Sequence, residues 1–297
     1  MPDSSPTPPT PARSRSVLVT GATGNLGREL LARLQARAAA VRCLDRRHVG
    51  PRPGIESVRG DLTDADSVRA ALDDIDTVFL IWPLLDTAPA EPLIAELAAA
   101  APRVVYLSST AIDDASFRQS DPIVQVHADM ERRLRDAGLQ PTVLRSDTLA
   151  SNTRGWAAQL HAGDVVRGPD IARTAVVDEG DVAAAAAEVL LRRQDDLDRT
   201  PYLLTGPEPL SRADQVEILG AALGRKLRFE PVPVDIARAR MLADGRPERL
   251  VDALITASTR RPESRLVTDD VERLTGRPAR PFAQWAIDHS TEFGPRP

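Results

Sequence analysis

The sequence predicts an α/β protein built on a doubly wound parallel sheet, with a smaller, mostly helical lobe following it. Three observations carry this reading. Short apolar runs alternate with helical patterns through the first half of the chain, the rhythm of βαβ units whose strands are buried on both faces. A glycine-rich turn joins the first of these runs to the first helix. Beyond residue 145 the rhythm gives way to helices punctuated by proline. Right-handed crossovers leave few topologies for such a chain, and the doubly wound one is the commonest.

Taken in order, residues 1–16 hold five prolines among Ser, Thr and Arg and lack the apolar stretch of a signal peptide. Residues 1–15 are therefore expected to form a disordered tail. Val17, Leu18 and Val19 form the first strand, and residues 28–37 a helix with Leu30, Leu31 and Leu34 on one face. Strands are expected at 40–44, 56–58, 77–81, 103–107 and 142–144, with helices at about 64–73, 90–101 and 122–137. Further on, an alanine-rich helix at 181–193 and a strand at 201–204 precede helices at about 212–223, 234–243, 246–258, 268–275 and 281–290. One β-stretch, 226–231, interrupts them. The expected organisation is a nucleotide-binding domain over 16–150, with later contributions from about 174–206, and a substrate lobe over 151–297.

Composition excludes several chemistries. Of 38 basic residues 37 are arginine, so a Schiff-base lysine is possible only at Lys226. No Gly-Lys-Ser/Thr phosphate loop exists. The two tyrosines, Tyr106 and Tyr202, are followed four residues later by Thr110 and Gly206, so no Tyr-x-x-x-Lys pair can form. One cysteine, Cys43, precludes an intrachain disulfide and fits a reducing, cytoplasmic setting. Four dispersed histidines offer no zinc spacing, so no metal site is expected. A net charge of −5 argues against nucleic acid as the main partner, and no apolar run is long enough to span a bilayer.

Thr20-Gly21-Ala22-Thr23-Gly24-Asn25-Leu26-Gly27 reads Gly-x-x-Gly-x-x-Gly between strand and helix. The first glycine allows a sharp turn, the second lets backbone approach a pyrophosphate, and the third lets helix pack on strand. The amides of Asn25 and Leu26 then face the phosphates from a helix N-terminus, where the dipole favours negative charge. Gly21, Thr23, Gly24, Asn25, Leu26 and Gly27 are the expected cofactor-binding turn. The strand that follows ends Leu44-Asp45-Arg46-Arg47. Asp45 is placed to bond the ribose 2′-hydroxyl of NADH, whereas Arg46 and Arg47 are suited to clamp the 2′-phosphate of NADPH. Asp61 and Leu62 are expected beside the adenine; Asp61 is also a possible helix cap, a role that Thr63 or Asp64 fills equally well.

Together with these segments, Tyr106-Leu107-Ser108-Ser109-Thr110, His127-x-x-x-Glu131 and Thr142-Val143-Leu144-Arg145 resemble the atypical short-chain dehydrogenase/reductase superfamily, in its NmrA-like branch of quinone reductase-like and azoreductase-like proteins. Segments around 177–183, 204–208 and 267–271 extend the resemblance to about residues 16–290. It implies a Rossmann sheet with cofactor across its carboxyl edge and substrate between cofactor and lobe. The nicotinamide end would meet Trp82-Pro83 and residues 108–110. An arginine ending the second strand, matched by Arg46, selects NADP in many members, so NADPH is favoured with NADH as the alternative. Serine replaces the family's common proline at Ser146, which leaves the shape of the 146–152 loop open.

Redox members of the wider superfamily use the Tyr-x-x-x-Lys pair that is missing here. His127 stands where that lysine would be, and i,i+4 spacing puts Glu131 on the same helix face. Glu131 is expected to hold the imidazole and raise its pKa, making His127 a proton donor; the alternative role is binding the nicotinamide ribose. Thr110 occupies the place of a catalytic Ser/Thr hydroxyl, and Ser108 and Ser109 are expected to line the nicotinamide side through their backbones. Trp82 is placed to stack on cofactor or substrate, with Trp156 as a second pocket wall. The leading functional expectation is an NAD(P)H-dependent reductase of a small conjugated or aromatic acceptor, such as a quinone or imine. The alternatives are a non-catalytic NAD(P) sensor binding a protein partner and a non-redox isomerase or cyclase. The oligomeric state is not readable.

Overall fold

The computed structural model describes residues 15–37, 39–46, 53–198 and 200–294. The proline-rich segment 1–14 and Arg47 lie outside the described residues. Seven strands form one all-parallel sheet: β1 (Ser16–Thr20), β2 (Ala40–Asp45), β3 (Ile55–Arg59), β4 (Thr77–Leu80), β5 (Arg103–Ser109), β6 (Thr142–Ser146) and, later in the chain, β8 (Tyr202–Leu204). Their order is β3-β2-β1-β4-β5-β6-β8, so the winding reverses between β1 and β4. A crevice opens outside the strands' carboxyl ends at such a reversal.

Side chains of successive strand residues go to opposite faces. Val17, Val19 and Phe79 pack with helix α1 (Asn25–Ala36), while Leu18, Val78 and Leu80 pack with helices α2 (Ala65–Leu72), α3 (Glu91–Ala100) and α4 (Pro122–Asp136). Each is an amphipathic contributor: α1 buries Leu26, Leu30, Leu31 and Leu34, the 3.6-residue stripe read from the sequence. Helix α6 (Glu179–Leu191) lies against α1, and its run of buried alanines, 183–187, leaves little side-chain bulk between the two.

The C-terminal part differs from the purely helical-plus-one-strand expectation. A strand missed in the sequence, β7 (Val165–Gly168), pairs in parallel with β9 (Arg228–Pro231), and a short helix α5 (Ala157–Ala162) precedes it. Against this two-stranded sheet stand α7 (Arg212–Leu223) and α11 (Phe282–Asp288), whereas α8 (Val234–Ala243) pairs with α9 (Glu248–Arg260), α9 also meets α4, and α10 (Asp270–Thr275) packs on α6 and β8 of the main sheet. The core beside the two-stranded sheet gathers Trp156, Leu160, Val166, Leu219, Phe282, Trp285 and Phe293. Among the described residues no helix is long and apolar enough to cross a membrane.

Candidate functional site

The crevice at the β1/β4 reversal is a cleft of about 780 Å³. Its bottom is pinned by Thr20, whose Oγ1 accepts from the Ile81 amide (2.7 Å) and donates toward the Phe79 and Ile81 carbonyls (both 3.2 Å). Gly21 has φ +67°, a left-handed conformation that a residue with Cβ rarely adopts. A Cβ on Gly27 would lie 2.2 Å from the Gly21 carbonyl oxygen, so the helix can approach the turn only with glycine there. Gly24 precedes the first residue of α1, and neither a side-chain cap nor a first-turn carboxylate competes for the helix's opening amides. This is the environment an anionic pyrophosphate requires.

Gly21, Thr23, Gly24, Asn25, Leu26 and Gly27 all line the cleft, as do Asp45, Arg46, Asp61, Leu62 and Trp82. Asp64, not Asp61, caps α2, accepting from the Ser67 amide at 3.0 Å. Asp61 instead takes the Thr63 amide and hydroxyl, both at 2.9 Å, in the cleft wall. Two cations here were not singled out in the sequence. Arg28 donates to the Thr23 carbonyl (2.8 Å) and Asn25 Oδ1 (2.7 Å), bracing the glycine turn with a guanidinium. Arg59 sits in register with Asp45 across β2 and β3. Neither carries a motif and neither lines the cleft itself; helix spacing and strand register set them next to its lining residues Asn25 and Asp45.

Trp82 is less open than the sequence suggested. It is 5 % exposed, and its indole N–H is satisfied by the Asp86 carbonyl at 3.0 Å. Trp156 is likewise buried in the lobe core with Arg212 over its ring, and it is not part of the cleft wall, contrary to expectation. Ile81, Leu107 and Leu149 give the cleft an apolar stretch beyond the glycine turn, and Asn152 adds a polar edge. The described residues contain no group of side chains suited to a metal ion.

Ser108, Thr110 and His127 lie beside the cleft rather than in its wall. The Ser108 hydroxyl points into the protein and donates to Glu131 at 2.6 Å. Glu131, 1 % exposed, also receives Arg145 Nε (2.9 Å) and Arg135 (2.7 Å). Burial alone would raise its pKa, but hydrogen bonds from Arg145 and Ser108 outweigh this and hold it below the ordinary range. Glu131 therefore does not hold the imidazole, which corrects the i,i+4 reading. His127 Nδ1 instead meets the Tyr106 hydroxyl at 3.1 Å. Burial pushes the His127 pKa down to about 4 against the opposing field of Glu131, so the ring is neutral near pH 7. Tyr106 is fully buried, and burial followed by the Glu131 charge raises its pKa.

Ser146, where the family commonly has proline, ends β6 in register with both Ser109 and Leu204, and its carbonyl accepts from the Thr110 amide at 3.1 Å. That ladder carries Thr110 one residue past β5 and opposite the end of β6, which Asp147 follows; burial pushes the Asp147 carboxyl up, and its Oδ1 accepts from the Thr148 amide at 2.6 Å. Asp147 was not singled out in the sequence. A lone aspartate after a strand has no signal until its neighbours are known.

The sequence model of the NAD(P)H-binding family matches residues 21–193. A (4-alkanoyl-5-oxo-2,5-dihydrofuran-3-yl)methyl phosphate reductase from Streptomyces griseus is 37 % identical over 94 % of this chain and 99 % of its own length. An NAD(P)H azoreductase from Xenophilus azovorans is 29 % identical over 94 % and 99 % of the two chains. Among solved structures, a triphenylmethane reductase from a Citrobacter species in complex with NADP(H) superposes with a TM-score of 0.74. It is 20 % identical and covers 92 % of this chain and 99 % of that one, a likeness of fold. The glycine turn, the cleft at the sheet's reversal and these matches converge: the chain belongs to the NAD(P)H-binding family and is an NAD(P)H-dependent oxidoreductase.

Proposed function

We propose that the protein uses NADPH to reduce the electron-poor double bond of a small conjugated carbonyl compound, of the acyl-furanone type. The observation that carries this reading is the end-to-end, 37 % identity to a reductase whose name specifies an alkanoyl-oxo-dihydrofuran phosphate. The cleft supports it. Gly24, Asn25 and Leu26 offer backbone to the pyrophosphate, Asp61 and Leu62 border the adenine, and Asp45 faces the ribose. Arg46 at the cleft, with Arg59 in register beside Asp45, favours a 2′-phosphate, hence NADPH over NADH.

Bound NADPH supplies the hydride. The chain's own residues hold the cofactor and keep water from an apolar floor of Ile81, Leu107 and Leu149, while Thr110, just past β5 and beside the cleft, is the residue whose hydroxyl this reading assigns to the acceptor oxygen. His127 is neutral and bonded to Tyr106, so it orients the site rather than giving up a proton at neutral pH. Delocalisation of charge in a conjugated acceptor lowers the demand for a strong acid, which suits a chain without Tyr-x-x-x-Lys. The test is NADPH oxidation against a panel holding an acyl-furanone phosphate, a quinone and an azo dye. Fastest turnover with the acyl-furanone supports the reading. Saturable NADPH binding without turnover of any acceptor refutes it.

A further inference from the structure

We propose that Glu179 is a positioning residue of the acceptor site: its buried carboxylate clamps the 149–152 wall of the cleft and so presents Ser151 and Asn152 to the acceptor. This rests on the reductase reading given above.

Among the described residues, everything that lines the cleft comes from β5 or earlier in the chain except Leu149, Ser151 and Asn152. The chain beyond β6 thus reaches the cleft through these three residues alone. Backbone pairing holds the start of their segment to the residues before α6. The Ala150 amide donates to the Val177 carbonyl at 2.8 Å, and the Val177 amide to the Thr148 carbonyl at 3.0 Å. The ladder ends there, because one side turns into the 3-10 helix Ala150–Trp156 and the other into α6. That 3-10 helix has no side-chain cap from the residue before it. The Ser151 amide, in its first turn, therefore takes an acceptor from another element. Glu179, the first residue of α6, supplies Oε2 at 3.1 Å.

The carboxylate is itself fixed from two further directions. Oε1 accepts from Arg154 Nη1 at 2.7 Å, and Oε2 also accepts from the Trp285 indole N–H at 3.0 Å. Arg154 is shared with Glu292, its Nε donating there at 2.7 Å, and its guanidinium lies 5.4 Å from the centre of the Trp285 ring. Trp285, on α11, is fully buried and stacked on Phe282 and His289. Glu179 is 2 % exposed, and a carboxylate so buried is tolerated where donors meet both of its oxygens. Here those donors tie the cleft wall on one side to α11 on the other. Within the wall, Leu149 extends the apolar floor. Asn152 is exposed, and its carboxamide has no hydrogen-bond partner among the described residues. A free amide at the edge of an apolar floor can donate to the carbonyl oxygen of a conjugated acceptor. Without the Glu179 bond the Ser151 amide is unheld, and the wall that sets Asn152 at that edge loosens.

The experiment compares wild type with Glu179→Ala, Glu179→Gln, Asn152→Ala, the Glu179→Ala/Asn152→Ala double variant and Ser211→Ala. Three quantities are measured: NADPH affinity by calorimetry, KM and kcat for the acceptor that the wild type turns over fastest, and the urea midpoint. Ser211 caps α7 and does not line the cleft, so Ser211→Ala lowers stability without touching the wall. In Glu179→Gln an amide oxygen in the place of Oε2 still accepts from Ser151 and Trp285. The acceptor KM is expected to rise about tenfold in Glu179→Ala and in Asn152→Ala, with kcat and NADPH affinity within about threefold of wild type. Glu179→Gln recovers most of the lost KM, and the double variant is no worse than Glu179→Ala, because both changes act on one contact. Ser211→Ala has a lower urea midpoint and an unaltered KM. A wild-type KM in Glu179→Ala, or in Asn152→Ala if Glu179→Ala does not fold, overturns the positioning role while leaving a reductase. A KM that rises in Ser211→Ala as it does in Glu179→Ala overturns it equally, since loss of stability then suffices. A wild type that turns over no acceptor overturns the reductase reading itself and the positioning role with it.

Discussion

Replacing His127 by glutamine removes a titrating group that the folded protein keeps neutral, and the effect on stability has a calculable sign and size. The imidazole titrates at 6.5 when free and at about 4 in the folded chain. A histidine depressed in this way contributes its full stability above pH 6.5. That contribution is lost as pH falls toward 4, because the unfolded chain takes up a proton the native one refuses. Each pH unit in this window is worth about 1.4 kcal/mol, so the wild type should lose roughly 2 kcal/mol between pH 7 and pH 5 through this one group. Glutamine is uncharged throughout and its amide oxygen still accepts from the Tyr106 hydroxyl. Urea unfolding of both proteins at pH 7 and pH 5 isolates the difference, since the carboxylates are common to both. The variant should be less pH-sensitive by roughly 2 kcal/mol. Equal pH dependence would show that His127 titrates normally, and the argument for a neutral ring beside Tyr106 collapses.

Other outcomes follow from the same geometry. Glu131→Gln leaves the buried Arg145 guanidinium, 6 % exposed, with its solvent-facing partner Asp114 alone. It should cost about 3 kcal/mol, seen as a lower urea midpoint, and a change under 1 kcal/mol speaks against a tightly coupled pair. Arg59→Ala should weaken NADPH binding several-fold while leaving NADH binding unchanged; equal losses for both cofactors would remove Arg59 from the 2′-phosphate site. Gly27→Ala forces a Cβ to within 2.2 Å of the Gly21 carbonyl oxygen, so the turn must deform. Its melting temperature should fall and cofactor binding be lost together, whereas a stable, cofactor-binding variant contradicts the close helix–strand approach.

The parallel sheet was legible because its strands are apolar runs separated by helices with clear 3.6-residue stripes, as in α1 with Leu30, Leu31 and Leu34. The glycine turn was legible for a different reason: its residues are constrained by local backbone geometry, which spacing records directly. Strand β7 left no such trace. It is four residues long, and its partner β9 lies about 60 residues downstream, so nothing local marks it. Side-chain partnerships were the least visible. Helical spacing correctly set His127 and Glu131 one turn apart, yet it was blind to Arg145 and Ser108, which arrive from β6 and β5 and claim the carboxylate. Tyr106 has the same history: its partnership with His127 comes from burial and from the strand's place in the sheet, and it is not written in the order of residues.

The claim that the cleft at the β1/β4 reversal holds the dinucleotide is tested most directly at Gly24. Its φ of −71° is open to any residue, and a Cβ there meets nothing nearer than the Gly21 carbonyl oxygen at 3.3 Å. That contact is tight enough that the turn must give by a few tenths of an ångström, so valine at this position should fold with a somewhat lower melting temperature while projecting into the path of the pyrophosphate. Calorimetric titration with NADPH is expected to give saturable one-site binding to the wild type and at least about a tenfold weaker affinity for Gly24→Val, the loss of about 1.4 kcal/mol or more. Equal affinity in the two proteins, with both folded, would place the cofactor elsewhere.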